Sequence, residues 1–501
     1  MFGNKWNRKG KTPNYQGKQA DQKPKGEKTD ADDEVLQKLQ EQLDPENAML
    51  EEDDEHAPVD RPGFGDFVYK NIFFEWFYRH QLKADIGSDE NFNRFMQTVR
   101  NKLPVAFRLN KSSLNFEAIQ SKFNDTAYMK RNFFDIEGVR LEEIKGIIEK
   151  NKELAKHTVD FSTIALEKVS WFPDQLAYVM NLTRDNIRKN PGLKKLQRFI
   201  NACSDAGLLT RQELVSMLPP LFLDIQPTDM VLDVCAAPGS KTSQMLERVL
   251  SESNEKQLYK MTGGVVANDA DSKRAFMLTH QLQRIDTTGM LVINHEGQHI
   301  PTIRREGIPH GQEDRYAFDK VLADVPCSGD GAIRKLPLKW RGWSTKDGMS
   351  LHSVQVQILE RSLQLVKEGG LVLYSTCSLS PIENESVIAD VVSRANKENP
   401  GCVEVVDIHN KFPGLIGRRG ITSWEVLVEK PEHKSRKSED STQFKVEDLF
   451  HILHKYDETK CAELCALIKR SSLTHPSIDV PSGCSSTGEG HQDPKYYETD
   501  A

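Results

Sequence analysis

Between Met230 and about Asn396 the chain repeats one pattern of polarity: a short apolar run, a polar turn, and mostly a longer amphipathic segment. The runs are MVLDVC, GVVAND, MLVINH, KVLADVP and LVLYSTC. Continuous apolar strands alternating with helical segments predict an α/β fold, a Rossmann-like parallel sheet with helices on both faces. In such sheets ligands bind beyond the carboxyl ends of the strands, at the topological switch point. The last run stops at Ser375, Thr376, Cys377 and Ser378, which sets a cysteine where chemistry is expected rather than packing alone.

Upstream the pattern is mixed. FVYKNIFFEWFYRHQL opens a region running from Arg61 to about Thr158. Its Phe73, Trp76, Phe77 and His80 have rings that stack on bases, but their helical spacing assigns them to a core. RDNIRKNPGLKKLQRF, residues 184–199, sets Arg184, Arg188, Lys189, Lys194, Lys195 and Arg198 against a single acid, Asp185. It reads equally as a phosphate-binding face and as a solvated helix surface interrupted at Pro191. Near the C-terminus, VEDLFHILHKYDETKCAELCALIKR predicts two amphipathic helices. His451, His454, Cys461 and Cys465 there are zinc-competent residue types, but their spacing departs from the common finger patterns, so no metal site is assigned.

At 501 residues the chain has room for two or three domains with a substantial core. A net charge of −7 excludes a uniformly basic coat, yet the signs are segregated. Residues 1–30 are lysine-rich and apolar-poor, residues 34–60 turn acidic, and both read as disordered. The basic part reads about equally as a nuclear address and as a solvated tail. No apolar run approaches the roughly eighteen residues a membrane helix needs, and the N-terminal segment has no hydrophobic stretch to act as a signal peptide. A soluble intracellular protein, with no membrane partner, is the expectation. The eight cysteines contain no C-x-x-C pair and form no disulfide framework, which leaves them reduced and open to chemistry.

Three strand ends carry the chemistry. DVCAAPGSKT, residues 233–242, joins a strand to a helix through small residues and Gly239, which admits a ligand close to the backbone and to the helix N–H groups. A phosphate loop is the rival, but Cys235 and Ser240 stand where it needs glycine, and the G-x-G-x-x-G of a dinucleotide site is absent. A nucleoside without pyrophosphate fits better, S-adenosylmethionine being the common one. Asp269, ending the second run, is placed to accept from ribose hydroxyls; its alternative is a helix cap, for which Asp271 is better suited. The third run ends in Asn294, His295 and Glu296, where a polar side chain would read an adenine edge. The fourth gives ADVPCSGDG, so Cys327 and Cys377 share adjacent strand ends. One buried cysteine is usually a small hydrophobe, whereas two flanked by hydroxyl, acidic and glycine residues point to a reaction. Methylation at carbon 5 of a pyrimidine is such a reaction: a thiolate first adds to carbon 6, and a second group then removes the carbon 5 proton. Asp324 would hold the cytosine edge, and the base must be single-stranded or flipped out of its stack.

DVCAAPGSKT, ADVPCSGDG and YSTCSLSPIENE resemble the signature motifs of the Nol/Nop/Sun RNA (cytosine-5) methyltransferases. LPVAFRLN, SWFPDQLAYVMNLTRDNIRKNP and RQELVSMLPPLFLDIQP look most like the eukaryotic multisite tRNA (cytosine-5) methyltransferase subfamily, and the likeness runs from about Pro62 to Asn396. The paired cysteines separate this family from DNA cytosine methyltransferases, which use one. The resemblance implies Cys377 as nucleophile, Cys327 in product release, and Asp324 beside them. It implies S-adenosyl-L-methionine held by Cys235, Ala236, Ala237, Pro238, Gly239, Ser240, Lys241, Asp269, Glu296 and Asp324. It further implies tRNA as main substrate with other RNAs open, a monomer, and a nuclear or nucleolar location. The organisation expected is a disordered charged tail over 1–60, a smaller α+β RNA-recognition region over 61–200, a catalytic domain over 201–407, and a divergent or truncated, partly disordered segment over 408–501. Two features depart from the family. Glu296 stands where the subfamily usually has aspartate, and nothing after Asp407 matches the turn and strand that complete the sheet. A catalytically impaired RNA-binding member of the same family is therefore the second reading.

Overall fold

In the computed structural model, which describes residues 70–135, 138–250, 262–285, 287–304, 315–430, 450–456 and 466–470, the aromatic run forms helix α1 (Ile72–Gln81). Asn71 caps it, accepting from the amides of Phe73 and Phe74, while its own side-chain amide donates to the Trp340 carbonyl at 2.7 Å. Phe73, Phe74, Phe77 and Tyr78 are buried with Trp340 and Trp343, as the helical spacing predicts. Trp76 and His80 are half-buried, and His80 pairs with Glu425 at 2.8 Å. The charged tail over 1–60, Cys461 and Cys465 lie outside the described residues.

A small antiparallel sheet follows, built from β1 (Pro104–Leu109), β2 (Leu166–Lys168) and β3 (Ala177–Thr183), then helices α2 (Arg184–Lys189) and α3 (Lys194–Asp205), then β4 (Leu209–Arg211). Its order is β2-β3-β1-β4. The basic stretch thus forms two short helices broken at Pro191. Thr183 and Asn186 close a capping box at the start of α2, and the apolar residues Ile187, Leu196 and Ile200 turn inward.

The main sheet uses β5 (Met230–Asp233), α4 (Ser240–Val249), β6 (Gly264–Asn268), α5 (Ser272–Leu282) and β7 (Met290–Ile293). A ribbon of β8 (Ile303–Arg304) and β9 (Arg315–Tyr316) leads into β10 (Phe318–Asp324), α6 (Thr345–Leu365), β11 (Val366–Ser375), α7 (Glu385–Glu398) and β12 (Val403–Val406). Strands β11, β10, β5, β6 and β7 are parallel neighbours in that order, so the direction of progression reverses between β5 and β10. Successive strand residues face opposite ways. Leu232, Val266, Val321 and Tyr374 pack under α6 and α7, whereas Val231, Val265, Leu322 and Leu373 pack under α4 and α5. This is the doubly covered Rossmann-like sheet that continuous apolar runs require.

The two amphipathic helices expected near the C-terminus are not formed where the segment is described. Residues 450–456 form β14, paired antiparallel with β13 (Trp424–Glu429), and residues 466–470 form β15, antiparallel to both β11 and β12 within the main sheet. Ile468 is fully buried in the core, and Arg470 donates to the carbonyl of Val366 at 2.9 Å. The two predicted amphipathic helices are strands because short apolar runs satisfy either period, and a distant partner strand decides between them. A segment lacking the family pattern nonetheless continues the sheet.

Candidate active site

The register of β10 on β11 brings the chemistry together. Asp324 lies opposite Ser375, the two strands end side by side, and the following turns place Cys327 Sγ 3.3 Å from Cys377 Sγ. The close approach is backbone-encoded. The Gly331 amide donates to the Cys377 carbonyl at 2.9 Å, and a Cβ on Gly331 would stand 2.7 Å from that oxygen. Gly329 adopts φ +67°, and a Cβ there would lie 3.5 Å from Cys377 Sγ and 3.1 Å from Lys339 Nζ.

The two thiols are electrostatically distinct. A hydrogen bond from Cys327 holds the exposed Cys377 thiol below the usual cysteine range, against the opposing pull of desolvation and Asp324. Cys327 is raised, by that same bond and then by burial, so it keeps its proton and donates it. Beside them Lys241 Nζ pairs with Asp324 Oδ2 at 2.7 Å, and Ser375 Oγ donates to Asp324 Oδ1 at 2.7 Å. Burial pulls the Lys241 ammonium down, but Asp324 outweighs it and holds the group above the ordinary lysine value. Lys241, expected on the cofactor, therefore reaches from the first turn of α4 into the thiol site.

Behind the cysteines are two buried carboxylates that sequence reasoning did not single out. Asp330 accepts from Tyr78 OH, from Trp343 Nε1 at 3.1 Å and from the Leu379 amide at 2.8 Å, and lies 3.0 Å from Ser378 Oγ. Glu383 accepts from the Ser328 amide at 2.8 Å, Gln355 Nε2 at 3.0 Å, and the hydroxyls of Ser328 and Ser378, both at 2.5 Å. Glu383 thus ties the residue after Cys327 to the residue after Cys377, and Asp330 anchors the second turn to α1. Lys339 closes the cluster by donating to the Ser328 carbonyl. The acids of CSGDG and PIENE, beside the cysteine motifs, were the available signal.

The turn after β5 is held from its neighbour. The Ala236 amide donates to the Asn268 carbonyl at 2.7 Å, and the Ala237 amide donates to Asp269 Oδ2 at 3.1 Å, next to a cis Ala237–Pro238 bond and Gly239 at φ +105°. Asp269 also accepts from the Asp271 amide and sits 3.4 Å from Arg274, while Asp271 caps α5 through the Arg274 amide at 2.9 Å. Asp269 is thus a buried clamp, and the capping role falls to Asp271. Two expected cofactor residues stand apart from this clamp. Cys235 packs against the core, burial raising its thiol pKa, and Glu296 is 63% exposed, bonded to His299 at 2.9 Å and Gln298 at 3.1 Å. Asp233, beneath the turn, accepts from Thr242 at 2.7 Å through one oxygen and has no partner on the other; burial pushes it up to about 7. Among the described residues no group of histidine, cysteine or acidic side chains is arranged to hold a metal.

The arrangement supplies a thiol whose ionisation is favoured, a second, proton-retaining thiol in contact with it, and a carboxylate–ammonium pair at the switch point. That set serves nucleophilic addition to a polarised ring followed by proton removal. Residues 220–413 match a family described as 16S rRNA methyltransferase RsmB/F. The chain is 40% identical over 376 residues, 72% of its own length and 51% of the relative's, to the multisite-specific tRNA:(cytosine-C(5))-methyltransferase trm4b of Schizosaccharomyces pombe. It is 35% identical over 75% of its length to the multisite-specific tRNA:(cytosine-C(5))-methyltransferase of Saccharomyces cerevisiae, covering 50% of it, and 36% identical over 72% to a Drosophila melanogaster tRNA (cytosine(34)-C(5))-methyltransferase, covering 44%. The chain spans about half the length of these curated relatives.

Proposed function

We propose, from the premise that this chain belongs through residues 220–413 to the RsmB/F methyltransferase family, that it methylates carbon 5 of cytosine in tRNA. The observation that carries the reading is the Cys327–Cys377 contact at 3.3 Å beside the Asp324–Lys241 pair. The names of the relatives support tRNA as substrate. Other RNAs with an accessible cytosine are further candidates, and the monomer is taken as the working unit.

The residues present fit S-adenosyl-L-methionine. The side chains of the turn at 236–240 are small, and Asp269 Oδ1, which accepts from the Asp271 amide, keeps a lone pair for a ribose hydroxyl while Oδ2 holds the Ala237 amide. When bound, this group supplies an electrophilic methyl on a sulfonium. Ala236, Ala237, Pro238, Gly239 and Asp269 would hold it, with Asp324 at the boundary between cofactor and base.

Cys377, its ionisation favoured by the Cys327 hydrogen bond, adds as thiolate to carbon 6, and Asp324 accepts a hydrogen bond from the cytosine amino group. The electron density gained at carbon 5 would take up the methyl that the bound sulfonium supplies, the methyl carbon–sulfur bond breaking so that the sulfur leaves as a neutral thioether. Once Cys377 is bonded to carbon, it no longer accepts from Cys327, and the negative charge that kept Cys327 protonated is gone. Cys327 then releases its proton to solvent and takes the one on carbon 5, while the carbon 6–sulfur bond breaks and returns Cys377 as thiolate. The test uses labelled S-adenosylmethionine and unmodified tRNA with the full chain, Cys377→Ala and Cys327→Ala. Cys377→Ala is expected to abolish transfer, and Cys327→Ala to accumulate a covalent protein–RNA band on denaturing gels. Undiminished transfer by Cys377→Ala would overturn the mechanism. The lysine-rich residues 1–30 support a nuclear location, which a fluorescent fusion with and without them would test.

A further inference from the structure

Behind the turn Pro238–Ser240 lies a cavity of about 110 Å³, bounded by Gly207, Ser243, Arg211 and Arg284. One water needs only about 10–15 Å³ by this measure, so the space admits a group of several heavy atoms. Its polar lining is positive. Arg211 ends β4, Arg284 follows α5, and Arg184 opens α2 close enough for its charge to act on Arg211. Asp205 is the acid that faces them, 68% exposed and 3.8 Å from Arg284. Among the described residues the remaining contacts are long: Arg211 donates to Asn201 at 3.3 Å and Arg284 to Ser204 at 3.5 Å, so most of the five N–H groups of each guanidinium have no partner among them. Arg211 is exposed at the end of β4, and desolvation first, then the charge of Arg184, lowers its pKa, with Asp205 opposing and Arg284 adding to the shift.

The cavity is also well placed. The turn it abuts continues β5 at its carboxyl end, so it lies at the same edge of the sheet as the two thiols. The exposed Arg188, Lys194, Lys195 and Arg198 extend positive charge from it along α2 and α3. Planar guanidinium groups match phosphate oxygens in pairs, and contacts of this kind set the register of a nucleic acid without reading its sequence.

We propose that this cavity binds a backbone phosphate of the RNA substrate through Arg211 and Arg284, with the α2–α3 face guiding the strand to it. The inference rests on the RNA-methylating reading and adds to it a fixed point that sets the target cytosine's distance from Cys377. Equilibrium binding of tRNA to the full chain is measured against salt for the unaltered protein, Arg211→Gln, Arg284→Gln, the double variant, and Lys145→Gln as a charge-matched control on an exposed ion pair with Glu142. S-adenosylmethionine affinity is measured on each. Every lost phosphate contact should lower the slope of log affinity against log salt by about 0.7–0.9, leaving cofactor affinity unchanged. Because both arginines hold the same phosphate, the double variant should lose about one such increment, each single variant no more than that, and Lys145→Gln little. A double variant with the unaltered slope, or an equal loss in Lys145→Gln, would overturn the site. Loss of cofactor binding with RNA binding intact would reassign the cavity and also overturn it. Absence of tRNA binding by the unaltered protein would refute the RNA reading itself and this inference with it.

Discussion

Arg108 joins the small sheet to the helix that carries the cofactor turn, and its removal gives a sharp test of how that seam is held. The side chain is 1% exposed; it donates to Gln212 at 2.9 Å, Ser243 Oγ at 2.7 Å and the Ser240 carbonyl at 3.3 Å, and it pairs with Glu247, itself 10% exposed. Burial lowers the arginine pKa and raises Glu247 from 4.5 to about 6, so both shift toward neutrality although they attract. Desolvation exceeds the attraction, which means the pair contributes little net stability but neither partner tolerates loss of the other. Arg108→Met strands Glu247 and should cost about 3–5 kcal/mol. Arg108→Met with Glu247→Met removes both charges and should recover all but about 2 kcal/mol. The pH dependence follows from Glu247. Its native pKa of about 6 lies above its unfolded value of 4.5, so its contribution is fully present below pH 4.5 and is lost as pH rises through about 6, a difference of about 2 kcal/mol. Without Arg108 the native pKa rises further, so the single variant should be weakened more at pH 8 than at pH 5. Urea unfolding at both pH values, with cofactor affinity measured in parallel, checks this. Equal losses in the single and double variants, or a pH-independent loss, would refute the account.

Other expectations concern the site itself. Gly331→Ala places a methyl group 2.7 Å from the Cys377 carbonyl, so the nucleophile must shift. The methyl-transfer rate should fall roughly tenfold to hundredfold while cofactor affinity holds, and an unaltered rate would count against the proposed alignment. Tyr78→Phe deprives the buried Asp330 of a donor and should cost about 1.5–3 kcal/mol in denaturant unfolding. Burial raises the Asp330 carboxyl and the Tyr78 bond opposes this, so the variant raises it further and should be weakened more at pH 8 than at pH 5. Asp269→Asn removes the charged acceptor that clamps Ala237 and should weaken S-adenosylmethionine about tenfold or more by calorimetry; unchanged affinity would place the ribose elsewhere.

What was legible in the chain was local. The parallel strands could be read because residues such as Val231 and Leu232, or Leu373 and Tyr374, are apolar in succession, and only a sheet covered on both faces buries both. Cys327 and Cys377 were legible because each directly follows such a run. What lay beyond local reading was decided by a long side chain or a distant segment. Lys241 belongs by position to the glycine turn, but its four-carbon stem carries the ammonium to Asp324 on the adjacent strand. Glu296 ends the expected strand and then turns to His299, three residues on. Asp330 and Glu383 act through partners as remote as Tyr78, which no local pattern connects to them.

The strand at Ala466–Arg470 was the least legible element, and it bears on the chemistry most indirectly. The separation of the thiols depends on the register that sets Asp324 opposite Ser375, and a slip of one residue would turn each β11 side chain to the other face. Strand β10 fixes that register from one side. From the other, β15 pairs Leu371 with Lys469 and Tyr374 with Ala466, giving β11 a hydrogen-bonded neighbour along the four positions leading to its active end. A strand paired on both edges is held in register more firmly than one with a free edge. The C-terminal segment therefore supports the Cys327–Cys377 contact without contributing a residue to it, which is why neither its composition nor its distance in sequence disclosed the role.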